Sequence, residues 1–268
     1  MKKSFKLGVI GAGFMSSAII KGLIDSNYLL PSDIIVSDKN FDSLAKMDNL
    51  KVKTTNSNLD LVNSAEFVLF AVKPQSLEVV LDEIKQGTCE KFISIMAGIK
   101  KERIRKAFNS AKIARCMPNT PCSILNGAVG LDISEFTKNE DRAFIEGIFS
   151  VIAQVVLVDE SKLNAVTGVS GSSPAYFYLF LKGIIEAGVK QGLTEEQAKL
   201  LATSTMIGAG KMVLMNKDKT LDELIGAVCS KGGTTIEAIK VYENNGLSNI
   251  TDLAVEACVK RAKELENI

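Results

Sequence analysis

The segment that most constrains this chain is LGVIGAGFMSSAII, at residues 7–20. A short apolar run ends at Gly11 and Gly13, and apolar residues with helical spacing begin at Phe14, so the segment predicts a strand, a tight turn and a helix. Gly11 permits a turn that a side chain would obstruct, and Gly13 allows a ligand to approach the backbone closely. Because the helix directs its free N–H groups and positive dipole end at this gap, we predict a pyrophosphate site there.

The same segment departs from the tightest dinucleotide-binding turns at Ser16, where glycine or alanine is usual. We therefore expect the helix to lie slightly further from the strand. We predict that the turn and the first helical residues bind a dinucleotide, and these residues are Gly11, Ala12, Gly13, Phe14 and Met15. The alternative is a glycine-rich turn that binds nothing.

A second predicted strand ends at Asp38, about 25 residues beyond Gly13. At this spacing a carboxylate accepts hydrogen bonds from the adenosine ribose, which favours NAD. Ser37, Lys39 and Asn40 could instead hold a 2′-phosphate with Asp38 turned aside, so the sequence leaves the choice of cofactor open. A further alternative is that Asp38 is only a capping or turn residue.

Three more apolar runs follow with α/β spacing, at residues 67–72, 92–96 and 113–117. They are nearly continuous, as in parallel strands that are buried on both faces. Ligands in open α/β sheets collect at the carboxyl ends of the strands, so we expect the loops after these runs to face one crevice. The last predicted strand is residues 151–158, and only helical stretches follow Glu160.

This pattern predicts an α/β protein with two domains. Residues 1–160 form a dinucleotide-binding domain with a mostly parallel sheet, and residues 161–268 form an all-α domain. Ser173 is predicted as a helix cap before Pro174, and Thr194 as the start of a capping box. The predicted helices carry more apolar surface than about one hundred residues can cover, so we expect a homodimer through these helices. The alternative is a monomeric bundle packed on the nucleotide domain.

Composition limits the function classes. Lys and Arg number 32 and Asp and Glu number 31, so no basic surplus favours nucleic acid or an anionic membrane. No uninterrupted apolar stretch is long enough to span a bilayer, and five cysteines without a C-x-x-C pair suit a reducing compartment. We therefore expect a soluble, cytoplasmic protein. Histidine is absent, which excludes a Ser-His-Asp triad and the commonest zinc sites, and no metal is expected.

Two segments of the helical half are unusual, GVSGSSPAY at residues 168–176 and CSKGGTTIE at residues 229–237. The second places two glycines and two threonines just before a predicted helix, which forms a nest for an anion such as a carboxylate. Together with AVKP at residues 71–74, MAG at 96–98 and CMPNTP at 116–121, they give a chain that resembles the Δ1-pyrroline-5-carboxylate reductase family from Leu7 to about Ala262.

The resemblance implies a Rossmann-like N-terminal domain and a C-terminal helical domain that interlocks two subunits. It implies reduction of pyrroline-5-carboxylate to L-proline by NADPH or NADH, with NADPH slightly favoured, and possible assembly of dimers into a decamer. By position it assigns cofactor contacts to Asn58, Ala71, Val72, Lys73, Pro74, Ala97, Gly98, Pro118 and Asn119. It assigns the substrate carboxylate to the loop Ser230, Gly232, Gly233, Thr234 and Thr235.

Lys231 departs from the family, whose loop usually has proline at this position. Lysine restores a backbone donor and adds a positive charge, so Lys231 either strengthens binding of the anionic substrate or points to solvent, and we favour solvent.

The predicted chemistry suits a chain without histidine, because the nitrogen of a cyclic imine can be protonated near neutral pH before any protein group acts. Thr235 is the candidate to reach the ring nitrogen, with helix capping as its alternative. Lys73 is the second catalytic candidate, although a protonated imine would repel its ammonium group, so we expect its backbone or stem to matter more. Cys116 is expected to pack rather than to react.

Three other functions fit parts of the pattern. One is a β-hydroxyacid dehydrogenase or another imine reductase, since such enzymes share the glycine turn and a helical C-terminal domain. The second is a nucleotide-binding regulatory protein without activity. The third is a structural helical assembly protein, which the loops at the strand ends make least plausible.

Overall fold

The computed structural model describes residues 3–266, which form two compact units. The first, here called the sheet unit, consists of the chain up to Pro174 together with the residues from Cys258 onward. The second, here called the helical unit, is Ala175–Ala257. The predicted division into residues 1–160 and 161–268 separates cofactor binding from dimerisation and substrate binding, and it stays a prediction.

The sheet unit is built on a mostly parallel sheet, as predicted. Within the described residues the sheet has eight strands in the order β3-β2-β1-β4-β5-β6-β7-β8, and only the β6–β7 pair is antiparallel. The strands are β1 Phe5–Ile10, β2 Ile34–Ser37, β3 Lys53–Thr55, β4 Ala65–Phe70, β5 Lys91–Ser94, β6 Lys112–Pro118, β7 Gly127–Asp132 and β8 Ala153–Leu157.

Helices connect the strands and make up the helical unit. Those of the sheet unit are α1 Phe14–Asp25, α2 Phe41–Asp48, α3 Asn58–Ser64, α4 Leu77–Ile84, α5 Lys101–Arg105, α6 Asn139–Ser150 and α7 Leu163–Val166. The remainder are α8 Ser173–Lys190, α9 Glu195–Met215, α10 Leu221–Val228, α11 Thr234–Asn244 and α12 Leu247–Leu265. Among residues 3–266, no helix combines the length and the apolar character needed to cross a membrane.

The core consists of two apolar layers, one on each face of the sheet. In β4, Phe67 and Leu69 pack into one layer, while Val68 and Phe70 pack into the other. All four side chains are fully buried. This two-sided burial is the reason that the central strands are continuous apolar runs, which is the feature that made them visible in the sequence.

Two parts of the local pattern were predicted wrongly or missed. Ser173 does not cap a new helix: it is the first residue of α8, and its hydroxyl donates to the carbonyl of Val169 (2.7 Å) in the preceding π-helical turn, Thr167–Gly171. The capping box at Thr194 is confirmed. The strands β3 and β7 were not predicted, because β3 is short and polar and β7 contains two glycines.

The end of α12 is fastened to the sheet by a buried ion cluster. The Arg115 guanidinium, on β6, lies 3.1 Å from a carboxylate oxygen of Glu266 and 3.2 Å from one of Glu160. Burial alone would raise the pKa of Glu266, but the hydrogen bond from Asn164 and the charges of Arg115 and Lys100 outweigh it, so the net pKa lies below its usual value. The Glu266 carboxylate therefore stabilises the fold in its ionised form.

We predict that Glu266→Gln lowers the free energy of unfolding at neutral pH, because Arg115 loses a charged partner in a buried position. A carboxyl whose pKa is lowered by folding contributes stability above its unfolded pKa of about 4.3, and this contribution is lost as the pH falls through the folded value. The difference between the parent and the variant should therefore shrink below about pH 4. Urea unfolding at several pH values measures it. Glu264→Gln, which alters an exposed pair with Arg261, is the control and should change little.

Candidate functional site

Nine of the predicted cofactor residues line one cavity of about 450 Å³ in the sheet unit. It lies at the carboxyl ends of β1, β2 and β4, where the strand order predicts a ligand crevice. Its lining consists of Ile10, Gly11, Gly13, Ser37, Asp38, Lys39, Asn58, Ala71, Val72, Lys73, Gln75, Ser76, Val79, Val80 and Glu83. Ala12, Phe14 and Met15 are not part of this lining.

The glycine turn after β1 is held between the two neighbouring strands. The Gly11 N–H donates to the carbonyl of Ser37 (2.7 Å), and the Ala71 N–H donates to the carbonyl of Ile10 (2.9 Å). Gly11 has a φ of +106°, and a Cβ at this position would lie 2.7 Å from the carbonyl oxygen of Ala71. Only glycine fits this backbone position.

Gly13 differs from Gly11 because it faces open space. A Cβ placed on Gly13 would meet no heavy atom within 4 Å. Gly13 lines the cavity and is the N-cap of α1, where no side chain caps the first N–H groups of the helix. A pyrophosphate fits here, because the missing side chain leaves room over the backbone and the helix supplies donors and a positive dipole end.

Asp38 is fixed by two backbone hydrogen bonds and is not turned aside. Its Oδ2 accepts from the Ala12 N–H (2.7 Å), and its Oδ1 accepts from the Asn40 N–H (2.8 Å). The cap of α2 is Asn40, whose side chain accepts from two N–H groups of the first turn, so Asp38 is not a helix cap. The carboxylate thus joins the end of β2 to the glycine turn.

A chain of polar contacts continues from the end of β2 to α4. The Ser37 hydroxyl donates to Asn58 Oδ1 (2.6 Å), and Asn58 Nδ2 donates to Glu83 Oε2 (2.6 Å). The other oxygen of Glu83, Oε1, lies 2.9 Å from Lys39 Nζ. Asn58 was predicted from the family pattern, whereas Glu83 was missed. Its spacing of three and four residues from Val80 and Val79 places it on their helix face, and this is the signal that could have identified it.

Three residues of the segment after β4, Ala71, Val72 and Lys73, line the cavity, and Pro74 lies outside its lining. Ala71 and Val72 are half-buried, and Pro74 begins a short 3₁₀ turn that leads into α4. The Lys73 side chain is exposed and makes no hydrogen bond to any residue within 3–266. Lys73 therefore lies at the cavity without a partner that would fix its ammonium group.

The remaining predicted cofactor residues of the sheet unit lie outside the cavity lining. Gly98 has a φ of +72° and is buried against the end of α12, with a Cβ position 3.0 Å from Leu265 Cβ. The Asn119 side chain accepts from the Ala128 N–H (3.0 Å) and donates to the carbonyl of Ser170 (3.2 Å). The structure thus gives Gly98 and Asn119 packing and bridging contacts. Ala97 is exposed and Pro118 is the last residue of β6.

Cys116 lies on β6 and is buried. Burial raises the pKa of its thiol well above the usual value, so the thiol stays protonated at neutral pH. Its Sγ donates to the carbonyl of Ser94 (3.4 Å). These contacts agree with a packing residue rather than a nucleophile.

The predicted substrate loop, residues 230–235, lies in the helical unit. The Gly233 N–H donates to the carbonyl of Ser230 (2.9 Å), Gly232 has a φ of +72°, and Gly233 is the N-cap of α11. Thr235 therefore does not cap the helix, and its hydroxyl makes no hydrogen bond to any described residue. Lys231 is exposed. The first N–H groups of α11 remain available to an anion.

We predict that Gly13→Ala lowers the affinity for NADH and NADPH by at least about tenfold while changing the free energy of unfolding by less than about 1 kcal/mol. The added methyl group has room in the free protein but occupies the space in which the pyrophosphate would contact the backbone. Fluorescence titration measures binding, and thermal unfolding measures stability. Gly11→Ala is the contrasting variant, because its Cβ meets the Ala71 backbone and should reduce stability as well. Unchanged affinity in Gly13→Ala would contradict this assignment.

Residues 160–265 match the family model described as pyrroline-5-carboxylate reductase dimerisation, and residues 6–98 match the model described as NADP oxidoreductase, coenzyme F420-dependent. The chain is 38% identical over 267 residues to a pyrroline-5-carboxylate reductase of Haemophilus influenzae, with 98% of both chains covered. It is 35% identical to that of Synechocystis, again with 98% of both chains covered.

Solved structures give the same result. The fold is similar to that of a pyrroline-5-carboxylate reductase from Coxiella burnetii, with a TM-score of 0.91, 34% identity and coverage of 98% of this chain and 99% of that chain. It is also similar to the Plasmodium falciparum pyrroline carboxylate reductase with NADP bound, with a TM-score of 0.86, 28% identity and coverage of 99% and 100%.

Proposed function

The chain belongs to the pyrroline-5-carboxylate reductase family of NAD(P)-dependent oxidoreductases, and we propose that it reduces 1-pyrroline-5-carboxylate to L-proline with NADPH or NADH. This reaction is the last step of proline biosynthesis. The observation that carries the proposal is the cavity at the ends of β1, β2 and β4, with its glycine turn and its free helix N-terminus. Similarity along the whole chain supports the substrate.

The reaction needs little acid catalysis from the protein. The bound cofactor supplies a hydride to the imine carbon, and the C=N bond becomes a C–N bond whose nitrogen keeps the proton it carried. An imine nitrogen that is protonated beforehand makes a strong general acid unnecessary, so a chain without histidine can perform the reaction. Positioning of the two reactants contributes up to about 7–11 kcal/mol in such reactions, and we assign this task to the residues around the cavity.

On this proposal each part of the sheet unit holds one part of the cofactor. Gly11, Ala12 and Gly13 hold the pyrophosphate together with the first turn of α1. Ser37, Asp38, Lys39 and Asn58 surround the adenosine ribose. The nicotinamide wall consists of the loops after β4, β5 and β6, which contain Ala71, Val72, Lys73, Pro74, Ala97, Gly98, Pro118 and Asn119. Within this wall, Gly98 and Asn119 act by shaping their loops, as their packing contacts suggest.

The loop before α11 is proposed to bind the substrate carboxylate. Its free N–H groups and positive dipole end attract an anion, and Gly232 and Gly233 allow close approach to the backbone. Ser230 and Thr234 add hydroxyl donors, and Lys231 adds a positive charge from an exposed position. Thr235 is proposed to reach the ring nitrogen, directly or through water, and its hydroxyl is not used as a cap.

The assembly is proposed to be a homodimer through the C-terminal helices, with dimers able to assemble into a decamer. The dimerisation model spans residues 160–265, and the helical unit exposes large apolar side chains such as Leu179, Leu200 and Met215. We also propose that the protein works in the cytoplasm, since its five cysteines form no disulfide among the described residues.

The activity is tested by mixing the purified protein with pyrroline-5-carboxylate and either reduced cofactor and following the loss of cofactor absorbance. Formation of proline in step with cofactor oxidation is the expected result. Tight cofactor binding without turnover would support a regulatory protein instead. Oxidation of a β-hydroxy acid with NAD⁺ or NADP⁺, without reduction of the imine, would support a dehydrogenase.

We predict that Thr235→Val lowers kcat by at least about tenfold, because it keeps the shape of the side chain but removes the hydroxyl proposed to contact the ring nitrogen. Thr235→Ser keeps the hydroxyl and should stay within about threefold of the parent. The cofactor dissociation constant should be the same in all three proteins. A fall of less than about threefold in Thr235→Val would show that the hydroxyl is not part of the reaction.

A further inference from the structure

Four charged or polar side chains line the ribose end of the cavity, and their charges bear directly on cofactor choice. They are Asp38 and Lys39 at the end of β2, Asn58 at the start of α3 and Glu83 on α4. The two reduced nicotinamide cofactors differ only at the ribose, where NADPH carries a 2′-phosphate and NADH a 2′-hydroxyl. The question is therefore what these side chains present to that position.

Glu83 is anchored independently of any cation. Asn58 is buried, and its Nδ2 must donate to the Glu83 carboxylate because a carboxylate can only accept. This fixes Asn58 Oδ1 toward Ser37, whose fully buried hydroxyl donates to it. The exposed ion pair between Glu83 and Lys39 would contribute little by itself. Because the Asn58 amide holds the carboxylate, Glu83 stays in the cavity whether or not Lys39 is bound to it.

Lys39 is the cation nearest in sequence to Asp38, and it is already engaged. Its Nζ lies 2.9 Å from Glu83 Oε1. To bind a 2′-phosphate, Lys39 would have to leave Glu83. The phosphate would then lie close to the Glu83 and Asp38 carboxylates, and the single Lys39 ammonium group would have to balance all three negative groups. Like charges at such short range oppose binding unless each is paired. The 2′-hydroxyl of NADH brings no charge and avoids this cost.

The Asp38 carboxylate is also able to accept hydrogen bonds from a hydroxyl group. Each of its oxygens accepts one backbone N–H, from Ala12 or from Asn40, and each retains a second acceptor position. Two backbone donors hold the carboxylate in place, so it can accept from ribose hydroxyls without reorganising.

We propose that Glu83 is a specificity-determining residue whose carboxylate, held by Asn58 and paired with Lys39, disfavours a 2′-phosphate, so that this chain prefers NADH to NADPH. The proposal rests on the proposed function, since it assumes that the cavity binds NAD(P)H. It differs from the slight preference for NADPH that the family resemblance implies. The sequence alone leaves the choice between NAD and NADP open, because Asp38 favours NAD and its neighbours could hold a 2′-phosphate. The contacts of Glu83 favour NADH.

Calorimetric titration of the intact protein with NADH and with NADPH, without substrate, tests the proposal. The parent should bind NADH at least about tenfold more tightly than NADPH. Glu83→Gln keeps an acceptor for Asn58 but frees Lys39, and it should shift the ratio toward NADPH by at least about tenfold. Adding Lys39→Met to this variant should remove the gain. Asp82→Asn removes the same charge one residue away, on a side chain outside the cavity that is 82% exposed, and should leave the ratio unchanged.

A second measurement needs no variant, so it remains decisive even where Glu83→Gln fails to fold. The parent should bind adenosine 5′-monophosphate more tightly than adenosine 2′,5′-bisphosphate. A parent that prefers NADPH or the bisphosphate would overturn the proposal, as would a folded Glu83→Gln with the ratio of the parent. A parent that binds neither cofactor would overturn the proposed function as well. If only the specificity proposal fails, both cofactors still bind.

Discussion

The close approach of the β1–α1 turn to the neighbouring strand ends is the constraint on which the rest of the site depends. Gly11 lies between the carbonyl of Ser37 on one side and the backbone of Ala71 on the other. Because parallel pairing places β2, β1 and β4 side by side, their carboxyl ends must open into one cavity. Gly13, the N-cap of the following helix, lines this cavity as well. The proposed cofactor site therefore follows from the sheet order and from two glycines.

The parts of the fold that could be predicted are those in which local sequence and burial agree. The central strands are buried on both faces, so β4 is a continuous apolar run and needed no alignment to be recognised. The strand β3 has the sequence KTT at a sheet edge and carries no such signal. The start of α9 was predictable because Thr194 marks it with a capping box.

The parts of the candidate site that depend on a local turn were predictable. The parts in which side chains from distant segments meet were less so. The turn at Gly11 and Gly13 and the carboxylate of Asp38 follow from spacing alone. Glu83 lies 45 residues beyond Asp38 in the chain, and only the fold brings it to Lys39. Gly98 could not be interpreted from its local sequence either. A side chain at this position would crowd Leu265, which lies far away in the sequence.

The absence of histidine connects the chemistry to the architecture. Without an acid that titrates near neutral pH, a reaction at an iminium carbon has to be promoted by position, and position is set here by backbone N–H groups and fixed carboxylates. Such groups are rigid because hydrogen bonds to the main chain or to buried amides hold them, as Ala12 holds Asp38 and Asn58 holds Glu83. Rigid charges cannot adapt to a ligand of different charge. The same rigidity that orients a cofactor for hydride transfer therefore also selects between cofactors, since a phosphate must meet carboxylates that are unable to move away.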